Sequence, residues 1–170
     1  MAGFRIREAV EADLPLVASL IRELAEYERL LDQVTLTDDG LRDALFGERR
    51  YAEVVVAEDP EGEPAGFALF FHNFSTFLGR PGIYLEDLFV RPRFRGAGIG
   101  RALLAHLAAL AVERGCGRLE WAVLDWNEAA IGFYRRLGAR PTSGWSVYRL
   151  DGPALRALAG DDFPPLVGEG

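Results

Sequence analysis

The sequence of 170 residues predicts a mixed α/β fold in a single domain. Runs rich in β-branched and aromatic residues at 52–57, 65–71 and 83–90 predict three successive strands. A glycine-rich loop at 95–101 then separates the third strand from an amphipathic helical pattern. Later in the chain strands and helices alternate, which is typical of a sheet that mixes antiparallel and parallel strands.

The first half of the chain combines strands with two helices. Alternating residues at 4–7 predict the first strand. Asp13 can cap a helix that runs to about residue 30, because the apolar positions after it follow helical spacing. Thr-Asp-Asp at the start of 37–46 opens a shorter helix. The turn sequence at 59–62 joins two of the three central strands, which we expect to form an antiparallel meander.

The second half alternates helices and strands. The predicted elements are a helix over 98–114, a strand over 118–123, a helix over 127–137, a strand over 145–150 and a short helix over 155–158. Gly138 ends the third of these elements. We expect residues 1–160 to form the domain, and residues 161–170, which are rich in proline and glycine, to be a disordered tail.

Composition and charge exclude several classes of partner. The formal net charge of −7 argues against a nucleic-acid interface, which would need a basic face. No apolar run approaches the roughly 20 residues of a membrane span, and the N-terminus lacks a signal-peptide pattern. Cys116 stands alone and the two histidines show no metal-ligand spacing. We therefore expect a cytoplasmic protein without a metal, a nucleic-acid partner or a membrane partner.

The glycine-rich loop predicts a phosphate site. Its sequence is Arg95-Gly96-Ala97-Gly98-Ile99-Gly100-Arg101, and the arginines at 91 and 93 add further positive charge. Glycines let a ligand approach the backbone, and the free N–H groups of a following helix bind anions. A P-loop would need lysine and serine or threonine after the last glycine, and a dinucleotide loop would need glycine at 101. The remaining alternative is a helix cap with no ligand.

At this point the residues resemble a known family. The pattern Arg95-x-x-Gly98-x-Gly100 after an LEDLFV strand resembles the acetyl-CoA loop of the GNAT N-acetyltransferases, and the resemblance extends over residues 4–150. Within the family the chain is most similar to the diamine acetyltransferases, of the spermidine/spermine and thialysine type. The segments that carry this narrower resemblance are Glu23–Glu28, Gln33–Thr37, Tyr84–Asp87, Ala122–Asn127 and Phe133–Ala139.

The resemblance implies acetyl-CoA as the acetyl donor. Its pyrophosphate would lie on the loop Arg95–Arg101, and its pantetheine arm would enter a gap where the strands diverge beside LEDLFV. The residues implied in pantetheine and further cofactor contacts are Leu88, Phe89, Val90, Asn127, Ala130 and Tyr134. A backbone N–H near Leu88 or Phe89 can polarise the thioester carbonyl, as an oxyanion hole does.

Acyl transfer to an amine needs a neutral amine, although a lysine-like ammonium has a pKa near 10.4. A carboxylate can bind the cation and then accept its proton. Glu86 and Asp87 are the candidates, and strand alternation predicts that they point to opposite faces. The resemblance implies Glu86 as acceptor contact and general base. A solvated strand end is the alternative that the residues alone leave open.

The resemblance also assigns the remaining acceptor and acid roles. Tyr134 matches the tyrosine that protonates the leaving thiolate, although a tyrosine on an amphipathic helix usually packs in the core. Tyr27 and Glu28 match the pair that contacts polyamines in the diamine acetyltransferases. A plain solvated helix face would have the same charged sequence.

Together these inferences predict an acetyl-CoA-dependent N-acetyltransferase for a small primary amine, such as a polyamine or thialysine. Two alternatives stay open: an acetyltransferase for another amine, such as an aminoglycoside or a protein N-terminus, and an acyl-CoA-binding sensor without activity. The resemblance further implies a homodimer.

Overall fold

The computed structural model describes residues 3–160 and has the predicted mixed α/β fold. Its ten helices and strands, within this described part, are β1 (Arg5–Glu8), α1 (Leu14–Tyr27), α2 (Asp38–Phe46), β2 (Glu53–Glu58), β3 (Pro64–Ser75), β4 (Arg80–Val90), α3 (Ile99–Glu113), β5 (Leu119–Trp121), α4 (Glu128–Arg136) and α5 (Gly152–Ala159). Short 3-10 turns precede α1, follow it and follow β4. The predicted tail at 161–170 lies outside the described residues.

The five strands form one sheet in chain order. β1 to β4 pair antiparallel, which confirms the predicted meander, and β5 pairs parallel to β4. The meander forms because tight turns join its strands. At the first of them, Asp59 accepts hydrogen bonds from the backbone N–H groups of Glu61 and Glu63, while Gly62 takes a positive φ of 85°.

Helices cover both faces of this sheet. Apolar side chains of α1 and α2 pack on one face with residues of β2, β3 and β4: Val17, Leu20, Leu24, Leu45, Val54, Val56, Phe67 and Phe89. α3 packs against β2, β3 and β4 with a buried stripe that includes Leu103 and Leu107. The predicted helical periodicity is thus satisfied by burial. Two compact units can be distinguished, one ending at Asn127 with the whole sheet and one beginning at Glu128 with α4 and α5.

Two details of the sequence prediction are wrong. Residues 145–150 form no strand, and the side chains of Trp145, Val147 and Tyr148 are exposed. Their composition favours β structure, but a strand also needs a partner to pair with, and propensity alone does not supply one. Asp13 does not cap α1 with its side chain, because its carboxylate instead accepts hydrogen bonds from the Val10 N–H and from Arg7.

The position of β1 depends on a buried carboxylate. Glu58, at the end of β2, is only 6% exposed and accepts hydrogen bonds of 2.6 Å from both Arg5 and Arg7. Arg7 also donates to both carboxylate oxygens of Asp13, at 2.7 and 2.9 Å. The arginine hydrogen bonds hold the pKa of Glu58 below its ordinary value of 4.5. This network ties the edge strand to the start of α1.

We predict that Glu58→Gln lowers the free energy of unfolding by about 2 kcal/mol at pH 7, because it removes the charge that both arginines bind. Since the folded-state pKa of Glu58 is lowered, its contribution exists above pH 4.5 and is lost as the pH falls further. Urea unfolding at pH 7 and at pH 3 measures both effects. Glu61→Gln, an exposed turn residue, is the matched control. Equal stabilities of the two variants at pH 7 would contradict the prediction.

Candidate active site

The glycine-rich loop forms the start of α3. Gly96 and Gly98 have φ values of +83° and +82°, in the left-handed region that favours glycine. Gly98 is the residue before the helix, and Gly100 already lies in its first turn. The first helical hydrogen bond runs from the N–H of Ala102 to the carbonyl of Gly98. The N–H groups of 99–101 therefore have no acceptor within the helix, which is the arrangement that binds anions.

The arginines around this loop are mostly engaged by the protein itself. Arg91 donates two hydrogen bonds to Glu23, at 3.1 and 3.0 Å, and a third to the carbonyl of Pro64. Arg93 forms an ion pair with Glu63. The exposed side chain of Arg101 has no such ion pair within residues 3–127. Of the four arginines that were expected to add positive charge here, Arg91 and Arg93 are thus paired with carboxylates of the protein.

An open cavity of about 410 Å³ adjoins the loop on the flank of α3 that faces β1 and β2. Its walls are mainly apolar, and Arg101 stands among them. The residues that line it, besides Gly98 and Ile99 of the loop, are Phe4, Ile6, Ala57, Arg101, Ala102 and Ala105.

The sheet opens beside the second half of β4. β5 pairs with β4 only from Ile83 to Leu85, while β4 continues to Val90. The register between β3 and β4 also shifts by one residue, because Leu85 pairs with Phe70 and Asp87 with Leu69. Glu86 is therefore a bulge residue without a partner across the ladder. The bulge removes the simple alternation that predicted opposite faces for Glu86 and Asp87.

The bulge decides which backbone groups of β4 face the gap. The N–H of Arg91 donates to the carbonyl of Ala65, so Arg91 and, two residues earlier, Phe89 direct their backbone groups to β3. Leu88 and Val90 consequently direct theirs to the open side. Phe89 lies with its backbone in the ladder and its side chain in the core.

Arg95 connects the loop to the end of α1. Its Nε donates to the carbonyl of Val90 at 2.9 Å, and its guanidinium lies over the rings of Tyr27 and Phe89, at 4.9 and 5.5 Å from the centroids. Such cation–π contacts stabilise a fixed placement of the arginine. Arg95 therefore positions the loop relative to Tyr27.

Tyr27 belongs to an aromatic wall. Its ring lies 6.2 Å from that of Trp126, and its hydroxyl donates to Oδ1 of Asn127 at 3.4 Å. Both rings are partly exposed, at 40% and 45%. The guanidinium of Arg29 also lies over the Trp126 ring, at 4.8 Å from its centroid. Trp126 therefore contacts both the Tyr27 ring and the Arg29 guanidinium.

Three carboxylates influence one another at this place: those of Glu28, Glu86 and Asp87. Burial, and then the charges of Glu86 and Glu28, raise the pKa of Asp87 to about 6. Burial and the charge of Glu86 also raise the pKa of Glu28. Glu86 itself is exposed. Each of the two shifts has a neighbouring carboxylate among its causes, which indicates a cluster of negative charge that a cation can neutralise.

The remaining predicted residues lie on α4. Ala130 stands in its first turn and Tyr134 in its second, where the Tyr134 ring lies 5.6 Å from that of Phe133. Gly138 follows the helix with a φ of +90°, as predicted. Their roles stay predictions.

Metal ligands and membrane spans are two further features to consider in residues 3–160. No group of three or more histidine, cysteine and acidic side chains in that part of the chain could hold a metal ion. None of its helices is both long and apolar enough to cross a membrane.

No pattern in the sequence assigns a role to Arg29. Its backbone φ of +61° and its contact with Trp126, 97 positions later, leave no mark in local sequence patterns. The adjacent predicted pair Tyr27-Glu28 is the one signal that could have directed attention to it.

Comparisons with known proteins identify a family and several similar proteins. Residues 17–139 match the model of the Acetyltransferase (GNAT) family. A thialysine N-epsilon-acetyltransferase of Bos taurus is 44% identical, over 94% of this chain and 99% of that protein. An L-ornithine N5-acetyltransferase of Arabidopsis thaliana is 35% identical, over 91% and 87%. The solved structure of an integron cassette protein of V. cholerae superposes with a TM-score of 0.76 at 30% identity, over 92% and 97%.

We predict that Asp87→Asn stabilises the protein at pH 8. The folded-state pKa of Asp87 is raised, so the protein loses stability as the pH rises from 3.8 to about 6, and the full loss persists above pH 6. The rise from 3.8 to about 6 corresponds to roughly 3 kcal/mol at high pH. The gain should vanish near pH 3, and unfolding curves at pH 8 and pH 3 measure it. Asp32→Asn, at an exposed position, is the control. A variant no more stable than wild type at pH 8 would sink the prediction.

Proposed function

This chain belongs to the GNAT acetyltransferase family, and we propose that it transfers the acetyl group of acetyl-CoA to a primary amine of a small cationic acceptor. The observation that carries the proposal is the place of Glu86 and Asp87. They lie where β5 leaves β4, at the start of the open strand edge, and form the cluster of three carboxylates together with Glu28. The relatives named for thialysine and ornithine, which carry side-chain amines, support an acceptor of this size and charge.

The loop and the open edge of β4 fit the donor. The free N–H groups of 99–101 suit its pyrophosphate, and a Cβ at Gly96 would point into open space where a ligand can approach. The N–H of Leu88 and that of Val90 face the gap and can pair with the amides of the pantetheine arm. Acetyl-CoA, when bound, supplies the thioester whose acetyl group is transferred.

Leu88 is the better candidate for polarising the thioester carbonyl. Its N–H faces the gap, whereas that of Phe89 belongs to the ladder with β3. A backbone donor held by a strand needs no reorganisation during the reaction, which is what makes an oxyanion hole effective. Asn127 and Ala130 are proposed as further cofactor contacts on the strength of the family resemblance.

The carboxylates hold and deprotonate the acceptor. Glu86 and Glu28 attract the ammonium group, and the ring of Tyr27, the residue before Glu28, can add an apolar and π-rich surface. Of the two candidate bases, Asp87 is the better proton acceptor near neutral pH, because its pKa is about 6. Glu86 then acts as the acceptor contact. Tyr134 donates a proton to the departing thiolate, and solvent restores it.

We also propose an oligomeric state and a cellular location. The chain forms a homodimer and acts in the cytoplasm, as the resemblance and the composition imply. Light scattering at micromolar concentration tests the first, and a monomeric mass would refute it.

We predict acetyl-CoA-dependent thiol release with thialysine, ornithine, spermidine or putrescine as acceptor, and weak or no release with an aminoglycoside or a short peptide. Tyr134→Phe should lower kcat by about 100-fold and leave acetyl-CoA binding unchanged, because only the proton donor is removed. Tyr148→Phe is the matched control, since it removes a hydroxyl from an exposed tyrosine.

The same assay distinguishes the alternatives. Release with the aminoglycoside or peptide alone would move the proposal to that acceptor. Acetyl-CoA binding without turnover of any acceptor would favour a sensor. If calorimetry detects no acetyl-CoA binding at all, the proposed function is refuted.

We predict that Gly96→Ala weakens acetyl-CoA binding by about tenfold, because its new methyl group occupies ligand space. Gly62→Ala is an unusually close control. Gly96 and Gly62 have φ values of +83° and +85°, and a Cβ at either meets no protein atom within 4 Å. Both variants carry the same backbone strain, of about 1 kcal/mol. Calorimetric titration should separate them, and equal affinities would argue against a ligand at the loop.

A further inference from the structure

Tyr27 contacts residues on both sides of the gap in the sheet. On one side the guanidinium of Arg95 lies over its ring, at 4.9 Å from the centroid, and Nε of Arg95 donates to the carbonyl of Val90 at the end of β4. On the other side the Trp126 ring lies 6.2 Å from that of Tyr27, whose hydroxyl donates to Oδ1 of Asn127 at 3.4 Å. Both of these residues come after β5, whose pairing with β4 has ended by then. One side chain therefore connects the two sides.

The core holds Tyr27 in place from within α1. Leu20 and Leu24 of the same helix are buried in the cluster that α1 and α2 form with the sheet. Tyr27 is the last residue of the helix, three positions after Leu24. A side chain on a packed helix is placed more precisely than one on a loop. The ring of Tyr27 can therefore serve as a fixed support for a neighbouring loop.

The glycine-rich loop needs such a support. It lies between Arg95 and Ile99, whose side chain is buried. Between them Gly96 and Gly98 have positive φ values, and a Cβ at Gly96 would meet no protein atom within 4 Å. Glycine has more backbone freedom than other residues, so ordering this loop costs more entropy. If Arg95 were not held, that ordering cost would fall on the binding of the ligand.

The contacts of Arg95 differ in kind from those of its neighbours. Arg91 and Arg93 pair with carboxylates. The guanidinium of Arg95 instead lies over the rings of Tyr27 and Phe89, at 4.9 and 5.5 Å from their centroids. Neither a ring nor a backbone carbonyl carries a net charge. These contacts therefore fix the guanidinium without cancelling its positive charge next to the loop.

We propose that Tyr27 is a positioning residue for the donor: its ring holds Arg95, and with it the glycine-rich loop, in the conformation that binds acetyl-CoA. The family resemblance assigns Tyr27 to the acceptor, so this role on the donor side is additional. The inference rests on the proposed function, which supplies the identity of the donor. Its signature is a change in acetyl-CoA affinity when no acceptor is present, which a residue that contacts the acceptor alone would not produce.

Calorimetric titration with acetyl-CoA, in the absence of any acceptor, measures this signature. Tyr27→Ala should weaken binding by about tenfold, because the cation–π contact that holds Arg95 is lost. Tyr27→Phe keeps the ring and should bind within about twofold of wild type. Tyr51→Ala is the matched control, since the Tyr51 ring also carries an arginine, Arg49 at 5.9 Å, but lies in the segment between α2 and β2. Its affinity should equal that of wild type.

A double-mutant cycle separates positioning from direct contact with the donor. Arg95→Gln alone should weaken acetyl-CoA binding by at least about tenfold. The double variant Tyr27→Ala/Arg95→Gln should be no more than about threefold weaker than Arg95→Gln, because both changes remove the same contact. If the two losses multiply instead, the residues act independently and the inference is wrong. Thermal unfolding of each variant checks that it is folded at the temperature of the titration.

The remaining outcomes distinguish this inference from the proposed function. If wild type binds acetyl-CoA and Tyr27→Ala binds it equally well, Tyr27 does not position the donor, while the proposed acetyl transfer stands. If Tyr27→Phe binds as weakly as Tyr27→Ala, the hydroxyl and not the ring is responsible, and the inference is again wrong. If wild type itself binds no acetyl-CoA, the proposed function is refuted and this inference fails with it.

Discussion

The register shift of one residue in β4 is the constraint on which the rest of the site depends. It leaves Glu86 unpaired, changes the phase of the strand, and so directs the backbone of Leu88 and Val90 to the side where β5 has diverged. Without the shift, Asp87 and Phe89 would face the gap, and Leu88 and Val90 would bond to β3 in their place. The divergence of β5 supplies the space, and the bulge determines which donors face it.

Contacts between arginine and aromatic side chains also order the site, in addition to the pairing of the strands. Arg95 spans from the carbonyl of Val90 to the ring of Tyr27, and Trp126 continues the wall to Arg29. The loop that would hold the donor and the surface that would hold the acceptor are therefore mechanically connected. Such contacts are individually weak, of about 0.5–2 kcal/mol, but each one fixes a side chain that would otherwise be mobile.

Local patterns predicted most of the fold, because strands, turns and helix starts such as Gly98 are determined by nearby residues. Contacts between distant residues were not predictable in this way. The ion pair of Arg91 with Glu23 connects positions 68 apart, and it places a carboxylate beside an arginine that was expected only to add positive charge near the loop. The phase shift at Glu86 overturned an argument from alternation. The strand expected at 145–150 failed because its composition favours pairing without providing a partner.

The open edge of β4 also bears on aggregation of the protein when no ligand is bound. A row of unsatisfied N–H and C=O groups is a template on which strands of other molecules can assemble into aggregates. Here the exposed row is short, and the bulge interrupts it. Glu86 and Asp87 place negative charge at its start. At its end, Arg95 donates a hydrogen bond to the carbonyl of Val90. The features that shape a binding site thus also serve as protection against misassembly, and neutralising both acidic residues would expose the protein to it.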